Sequence, residues 1–296
     1  MNGVGGPARL DYEQYLSPID LHPTRVPNLV QFPAMVAIEQ ALIFTDPAGR
    51  AVAGILATPP TATDRVVVLC HGFLSNKNSN TNKTLTPLLI ERGIATFRFD
   101  FLGQGESQGP FEQITVTAAL DQARAALELV SSMGYRRLGL IGSSFGGLIA
   151  TLAAGQALEH GASLFALAQK CPVPDFPEML RLEFGEAGME RWKQADEIPN
   201  VAGGGEPIAL RFSFYIDSLA HDAYKAAEVI QAPVLIVQGD ADEYVPLHQC
   251  RRLYDALRAT KRLEILPGAD HGFSKPEDFR TMTALLADWM IQHLPA

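Results

Sequence analysis

Cysteine is scarce in this sequence, since only Cys70, Cys171 and Cys250 occur, and they are widely spaced. An odd number of cysteines without a C-x-x-C pair excludes a disulfide framework and a cysteine-based zinc knuckle. We interpret the three as small hydrophobic residues of a buried core, in a compartment that keeps thiols reduced. The sequence therefore predicts a cytoplasmic protein.

Basic residues are also few, because 24 Lys and Arg stand against 33 Asp and Glu, for a net charge of −9. This balance lacks the positive footprint of a nucleic-acid-binding protein and gives no attraction to an anionic membrane. No apolar run approaches the ~20 residues of a membrane span. Residues 1–10 lack the apolar core of a secretory signal. The sequence is also compatible with a signal peptide that was cleaved before residue 1. With these partners excluded, we expect the protein to bind a small molecule. The sequence also allows a homodimer.

Nucleotide-binding and metal-binding motifs are missing as well. Neither G-x-x-x-x-G-K-[ST] nor H-E-x-x-H occurs in the chain. The glycines of Gly103-Gln104-Gly105 do not extend to G-x-G-x-x-G, because Gln108 occupies the last position. We therefore expect no cofactor and no metal.

The pattern along the chain changes after residue 34. Five prolines within residues 1–34 predict an irregular N-terminal arm. The β-rich runs 35–45 and 51–58 flank a turn signal, Asp46 to Gly49, and predict a hairpin. Short apolar runs that suit buried parallel strands follow at 66–70, 94–99, 137–141, 164–168, 234–237 and 263–266. Apolar residues at helical spacing predict helices at 116–130, 247–257 and 279–290, between and after these strands. This alternation of strands and helices predicts an α/β fold with helices on both faces of a mostly parallel sheet.

Residues 172–231 interrupt this alternation and are rich in proline and aromatic residues. They exceed a simple crossover, so we interpret them as a lid inserted into a core formed by 35–171 and 232–296. Apolar side chains in such an insertion suit the wall of a small-molecule pocket, although about half of them would serve to pack the insertion onto the sheet. The insertion carries Phe176, Met179, Leu180, Phe184, Met189, Trp192, Phe212, Phe214 and Tyr215. The candidate substrate-binding residues are Trp192, Phe212, Phe214 and Tyr215.

The segment Gly142-Ser143-Ser144-Phe145-Gly146 fits the motif G-x-S-x-G. An apolar strand precedes it and an apolar helix follows, which is the setting of a nucleophile elbow. In such an elbow the serine occupies a strained turn with its hydroxyl exposed, and glycines let the backbones approach closely. The motif predicts Ser144 as a nucleophile.

A serine nucleophile needs a base and an acid that orients the base, here in the chain order Ser, Asp or Glu, His. Asp240 and Asp242 follow the strand run 234–237, and His271 follows the run 263–266. The carboxyl ends of parallel strands meet at one edge of a sheet, so these residues converge on Ser144. Spacing alone leaves both aspartates open as the acid.

A tetrahedral oxyanion needs backbone N–H donors close to the nucleophile. One candidate is Phe145, directly after Ser144, and the other is Phe73, in the loop after the third strand. His71 precedes Ser144 in the chain, which is the wrong order for the base of this architecture. We therefore predict a structural role for His71.

These motifs resemble those of the α/β-hydrolase serine hydrolases, over nearly the whole chain from residue 40 onward. The matching segments are 71–73, 142–146, 239–246 and 268–271. The resemblance implies an α/β-hydrolase fold with an eight-stranded sheet, and the pattern G-x-x-D-x-x-V-P implies Asp242 as the acid. Residues 97–107 with Phe111 look like the bacterial cinnamoyl/feruloyl esterase branch, whose relatives include monoacylglycerol-lipase-like and serine-aminopeptidase-like proteins. Many of these relatives carry His where this chain has Ser143.

The predicted activity is the hydrolysis of small apolar or aromatic esters, such as hydroxycinnamates, through an acyl-enzyme on Ser144. Asp242 and His271 complete the predicted catalytic triad. The same triad would serve a thioesterase, a lysophospholipase or monoacylglycerol lipase, or a peptidase. A non-catalytic binding protein on this fold is the alternative from another class, because a fold alone does not settle function.

Overall fold

The structure is a computed structural model that describes residues 37–156, 164–199 and 206–295. The arm predicted at 1–34 lies outside the described residues. The described residues all belong to one structural unit, 35–296. None of the helices in these three ranges combines the length and apolar character needed to cross a bilayer.

Eight of the described strands form one sheet, and two short strands pair separately. The strands are β1 (Ile38–Thr45), β2 (Ala51–Thr58), β3 (Arg65–Cys70), β4 (Ala95–Phe99), β5 (Arg137–Ser143), β6 (Leu164–Lys170), β7 (Glu197–Ile198), β8 (Ile208–Ala209), β9 (Val234–Gly239) and β10 (Lys261–Leu266). The large sheet has the order β1-β2-β4-β3-β5-β6-β9-β10. Its β1–β2 and β2–β4 pairs are antiparallel and the others are parallel. The predicted hairpin and the predicted, mostly parallel eight-stranded sheet are confirmed.

Helices connect and cover these strands. They are α1 (Asn80–Ile90), α2 (Val116–Ser132), α3 (Phe145–Gln156), α4 (Phe176–Ala195), α5 (Ser213–Ser218), α6 (Ala223–Ala227), α7 (Leu247–Ala256) and α8 (Pro276–Gln292). The helices predicted from apolar spacing are α2, α7 and α8. Sequence reasoning missed α1, because its buried face carries the polar side chains of Thr81, Asn82 and Thr86 and its last turn contains Pro87.

The core lies on both faces of the sheet, as the continuous apolar strands require. Alternate residues of a strand point to opposite faces. Val66 and Val68 of β3 belong to one buried cluster with residues of α2, α3 and α7, whereas Val67 and Leu69 belong to a second cluster with residues of α1 and α8. The parallel strands therefore deliver the loops that follow them to one edge of a sheet that is buried on both sides.

The predicted insertion, 172–231, contains α4, the β7–β8 pair, α5 and α6. Asp175 begins α4 as an N-cap, since its side chain accepts the N–H of Glu178. Within α4 the backbone of Gly185 departs from helical geometry, with φ of +59° and ψ of 177°. The residues before this kink face the carboxyl edge of the sheet, where the candidate site lies.

Candidate active site

Ser144 lies at the turn between β5 and α3 with φ of +53°, a left-handed conformation that side-chain-bearing residues rarely adopt. Two flanking glycines allow the turn. A Cβ on Gly142 would lie 2.3 Å from the carbonyl oxygen of Gly146, and one on Gly146 would lie 2.2 Å from the carbonyl oxygen of Cys70. The motif therefore produces the strained strand-to-helix elbow expected from the sequence.

His271 lies between Ser144 and Asp242 and contacts both. Its Nε2 is 3.1 Å from Ser144 Oγ, and its Nδ1 is 2.8 Å from Asp242 Oδ2. The Asp242 side chain is 1% exposed and that of His271 is 18% exposed, so the pair is shielded while the imidazole edge stays accessible. The carboxylate acceptor fixes the proton on Nδ1, which leaves Nε2 free to accept the serine proton. The structure thus brings the three predicted residues together in the order acid, base, nucleophile.

The surroundings of Asp242 keep its carboxylate ionised. Oδ1 accepts the backbone N–H groups of Tyr244 and Val245 at 2.9 and 2.8 Å, and Oδ2 accepts the amide of Gln238 at 2.8 Å. Burial raises the pKa of Asp242, but these backbone hydrogen bonds and the bond to His271 outweigh it and hold the pKa below its ordinary value.

Asp240 is the other aspartate that the spacing allows as the acid, and its surroundings are different. Its carboxylate is exposed and accepts the backbone N–H of Gly268 at 2.5 Å. The structure records no contact between Asp240 and His271 among the described residues. Geometry therefore favours Asp242 over Asp240 as the partner of the imidazole.

The two candidate oxyanion donors lie beside the nucleophile. Phe145 is the first residue of α3, so its N–H has no acceptor within the helix. Gly72 brings the preceding loop close to the elbow, because a Cβ built on it would lie 3.5 Å from Ser144 Cβ. The rings of Phe73 and Phe145 pack edge to face with centroids 5.7 Å apart. The two amides remain a proposal as donors.

A buried polar network holds the loop that carries Phe73. The ring of His71 is fully buried, with Nδ1 2.8 Å from the carbonyl oxygen of Gly72 and Nε2 accepting the N–H of Phe101 at 3.0 Å. Farther along the loop, Lys77 forms a buried ion pair with Asp100. His71 has no recorded contact with Ser144 in the described part of the chain, and these bonds give it the structural role predicted.

Burial of His71 has a consequence for stability. It lowers the pKa of the ring to about 4, so the folded protein keeps His71 neutral where the unfolded chain, with an ordinary pKa near 6.5, is protonated. Stability therefore falls as the pH drops from about 6.5 toward 4, by up to about 1.4 kcal/mol per pH unit. The substitution His71→Gln should flatten this slope in urea unfolding measured at pH 7 and pH 5.

The control is His248→Gln, which removes a surface histidine whose side chain is 61% exposed and bonded to Glu178. Because no buried ring is removed, this variant should change the slope between pH 7 and pH 5 less than His71→Gln does. A wild-type slope in His71→Gln would contradict the neutral buried state assigned to His71.

An open cleft lies at Ser144 and His271. The other lining residues are mostly apolar and come from the loop after β3, the β6–α4 segment, α4, β7 and the loop after β9: Phe73, Val173, Phe176, Met179, Leu180, Glu183, Phe184, Ile198, Tyr244 and Val245. The cleft therefore suits an apolar group placed beside Ser144.

The four residues nominated for substrate binding lie outside this lining. Trp192 is buried and donates its indole N–H to the carbonyl oxygen of Leu210. Phe212 and Tyr215 pack on Trp192 and line a separate surface groove. Phe214 is fully buried behind Phe73. These aromatic side chains join the elements of the insertion to one another, which is why aromatic content alone selected the wrong residues for the wall of the cleft.

The residues of α4 that line the cleft are Phe176, Met179, Leu180 and Phe184, which the sequence predicts as part of an apolar wall, and Glu183, which sequence reasoning missed. Phe176, Met179, Leu180 and Glu183 follow helical spacing, so one face of α4 meets the cleft. The N-cap signal at Asp175 marks where this helix begins and could have revealed the pattern. Tyr244, whose ring lies edge-on to His271 with centroids 5.4 Å apart, had no comparable signal.

Comparison with known proteins gives a family match over most of the chain. The model described as the alpha/beta hydrolase family matches residues 67–281. The uncharacterized protein YqkD of Bacillus subtilis is 25% identical over 236 residues, which cover 78% of this chain and 72% of YqkD. The mitochondrial palmitoyl-protein thioesterase ABHD10 of Pongo abelii is 22% identical over 228 residues, which cover 75% of this chain and 72% of that protein.

Solved structures share the architecture. The ferulic-acid-bound structure of Est1E from Butyrivibrio proteoclasticus aligns with a TM-score of 0.74 and 23% identity. The alignment covers 86% of this chain and 99% of Est1E. At this identity the likeness establishes a common fold, in agreement with the sheet order and the elbow described above.

Proposed function

The chain belongs to the alpha/beta hydrolase family, and on this premise we propose that it hydrolyses carboxylic esters through an acyl-enzyme on Ser144. The observation that carries the proposal is the hydrogen-bonded chain from Asp242 through His271 to Ser144 Oγ at the mouth of an apolar cleft. A serine hydroxyl is a weak nucleophile, and this arrangement activates it.

In the acylation step, Ser144 Oγ attacks the ester carbonyl while its proton moves to His271 Nε2. The carbonyl oxygen becomes an oxyanion, and the N–H groups of Phe73 and Phe145 are the proposed donors that stabilise it. Collapse of the tetrahedral intermediate breaks the bond to the alcohol oxygen, which takes the proton from His271. Asp242 stays ionised throughout and stabilises the imidazolium.

In the deacylation step, water attacks the acyl-enzyme and gives its proton to His271 Nε2. The second tetrahedral intermediate collapses, Ser144 Oγ leaves with that proton, and the carboxylic acid departs. His271 gives up in each step the proton that it accepted, and Ser144 ends with its hydroxyl restored. The triad is therefore ready for the next substrate molecule.

The lining of the cleft supports apolar acyl groups as the substrate class. Est1E is described with ferulic acid bound, and ABHD10 is described as a palmitoyl-protein thioesterase. Both names concern apolar acyl groups, one aromatic and one a long chain, and the apolar face of α4 suits either. Thioesters are the second candidate, since the same triad performs either acyl transfer.

A fluorophosphonate probe tests the nucleophile, and an ester series tests the substrate class. The probe should label wild-type protein at Ser144. Rates with p-nitrophenyl acetate, butyrate and hexanoate, methyl ferulate and a butyryl thioester then rank the acyl groups and distinguish ester from thioester. Absence of labelling together with absence of turnover on all five substrates would favour the non-catalytic alternative.

The preference for longer acyl chains should depend on α4. Each buried methylene contributes about 0.8 kcal/mol, or roughly fourfold in kcat/KM. The substitution Met179→Ala removes part of the wall, so it should reduce the ratio of kcat/KM for hexanoate to that for acetate. Acetate turnover itself should persist, because the triad side chains remain in place when Met179 is shortened.

Phe212→Ala is the control for this prediction, since Phe212 lines the separate surface groove. It should leave the hexanoate-to-acetate ratio at the wild-type value. Equal changes in Met179→Ala and Phe212→Ala, or none in Met179→Ala, would show that α4 does not form the acyl wall.

A further inference from the structure

Gln238 at the end of β9 is a fully buried polar residue that directly contacts the acid of the triad. Its Nε2 donates to Asp242 Oδ2 at 2.8 Å, the same oxygen that accepts His271 Nδ1. Its Oε1 lies 3.0 Å from the Sγ of Cys250 on α7. A glutamine at this depth needs partners on both ends of its amide, and here it has them.

The thiol of Cys250 determines which end of the amide faces Asp242. Burial raises the pKa of this thiol well above its ordinary value, so the sulfur keeps its proton and donates it. The nearest acceptor is Gln238 Oε1, and the carbonyl oxygen of Pro172 is farther away at 3.6 Å. With Oε1 occupied by the thiol, the amide presents its N–H donor to the carboxylate.

We propose that Gln238 is a positioning residue for hydrolysis, which holds the Asp242 carboxylate in the plane that receives the N–H of His271. This inference rests on the proposed function of the triad. The backbone N–H groups of Tyr244 and Val245 hold Oδ1, and the protonated thiol of Cys171 is a further hydrogen-bond partner of the carboxylate. The Gln238 amide adds a donor on Oδ2, the oxygen that meets the imidazole, and this bond opposes rotation of the carboxylate about Oδ1.

The test removes the donor while keeping the volume of the side chain. Gln238→Met should lower kcat on p-nitrophenyl butyrate by about 10- to 100-fold, as expected for the loss of one hydrogen bond to a charged group. KM should stay near the wild-type value, because Gln238 does not line the cleft. A structural role alone would reduce the amount of folded enzyme and leave kcat per folded molecule unchanged.

Gln122→Met is a matched control within the same chain. Gln122 is also fully buried, donates its Nε2 to a carboxylate, Asp46, at 3.0 Å, and accepts the N–H of Leu102 with its Oε1. Both Met variants should lose stability, but Gln122→Met should keep the wild-type kcat. Equal kcat values in the two variants would overturn the proposal.

The variant Gln238→Glu adds a readout in pH. A protonated Glu at this position can donate to Asp242, whereas an ionised one repels it, because two adjacent carboxylates retain one proton between them. The titratable or charged groups around the pair include His271, Cys250, Cys171 directly after β6, and Lys170, whose charge acts on Cys171. On the other side of His271 lie Glu243, which accepts its backbone N–H, and the ring of Tyr244. Wild type carries all of them, so activity is expressed as a ratio to wild type at each pH.

The ratio for Gln238→Glu should be near one at the acidic end of the working range and fall as the pH rises, while the ratio for Gln238→Met stays flat and low. Parallel profiles for the two variants would overturn the proposal. If Gln238→Met does not fold, the Glu profile alone decides, measured by fluorophosphonate labelling of Ser144. A wild type that fails to be labelled would refute the proposed function itself, whereas labelled wild type with a fully active Gln238→Met would refute only the role of Gln238.

Discussion

Ser144→Ala is expected to lower kcat for ester hydrolysis by about 10⁴- to 10⁶-fold, the range seen when a triad nucleophile is removed. The substitution deletes Oγ, the atom 3.1 Å from His271 Nε2. Ala keeps the Cβ and meets the same conformational cost at φ of +53° as Ser. The melting temperature should therefore stay close to that of wild type while turnover is lost.

The neighbouring serine provides the control for this experiment. Ser143 belongs to the same motif but is the last residue of β5, with a buried side chain. Ser143→Ala should retain turnover. If purified Ser144→Ala hydrolyses p-nitrophenyl butyrate as fast as Ser143→Ala does, another group is the nucleophile.

Asp242→Asn is expected to lower kcat by about 10⁴-fold, as the equivalent change does in serine proteases. In this site an amide has no good orientation. If its NH₂ faces His271, the ring must present an unprotonated Nδ1, which moves its proton to Nε2 and prevents that atom from accepting the serine proton. If its NH₂ lies on the opposite side, it faces the backbone N–H groups of Tyr244 and Val245. Donors then face donors, and those two hydrogen bonds are lost.

Asp240→Asn distinguishes this loss from a general effect of charge removal. Asp240 is two residues away, exposed, and bonded to the backbone of Gly268. Its substitution should leave kcat nearly unchanged. A larger loss of kcat in Asp240→Asn than in Asp242→Asn would assign the acid to Asp240 and reject the geometry described here.

The parts of this protein that follow periodic rules could be predicted from the sequence. Buried strands such as β3 and β9 form continuous apolar runs, and α2 and α8 repeat apolar residues at helical spacing. The positions of Ser144 and His271 follow from the same logic, because Ser144 directly follows β5 and His271 lies in the loop after β10. Residues at strand ends meet at one edge whatever the intervening sequence is.

The parts that depend on contacts between distant segments could not be predicted. Trp192 and Phe214 are aromatic residues in an insertion, and sequence gives no means to tell a residue that lines a cleft from one that fills the layer behind it. The bond from Gln238 to Asp242 is set by the register of β9 and by Cys250 on α7. Polar residues with only one or two specific partners leave no periodic trace in a chain.

The central claim, a covalent acyl group on Ser144, is tested most directly by mass spectrometry. Wild-type protein mixed with p-nitrophenyl butyrate and quenched in acid within the first turnovers should gain the mass of one butyryl group. After digestion, that mass should be on the peptide that contains Ser144, and Ser144→Ala should gain none. A butyryl group on another residue, or rapid turnover with an unmodified Ser144 peptide at every quench time, would contradict the account.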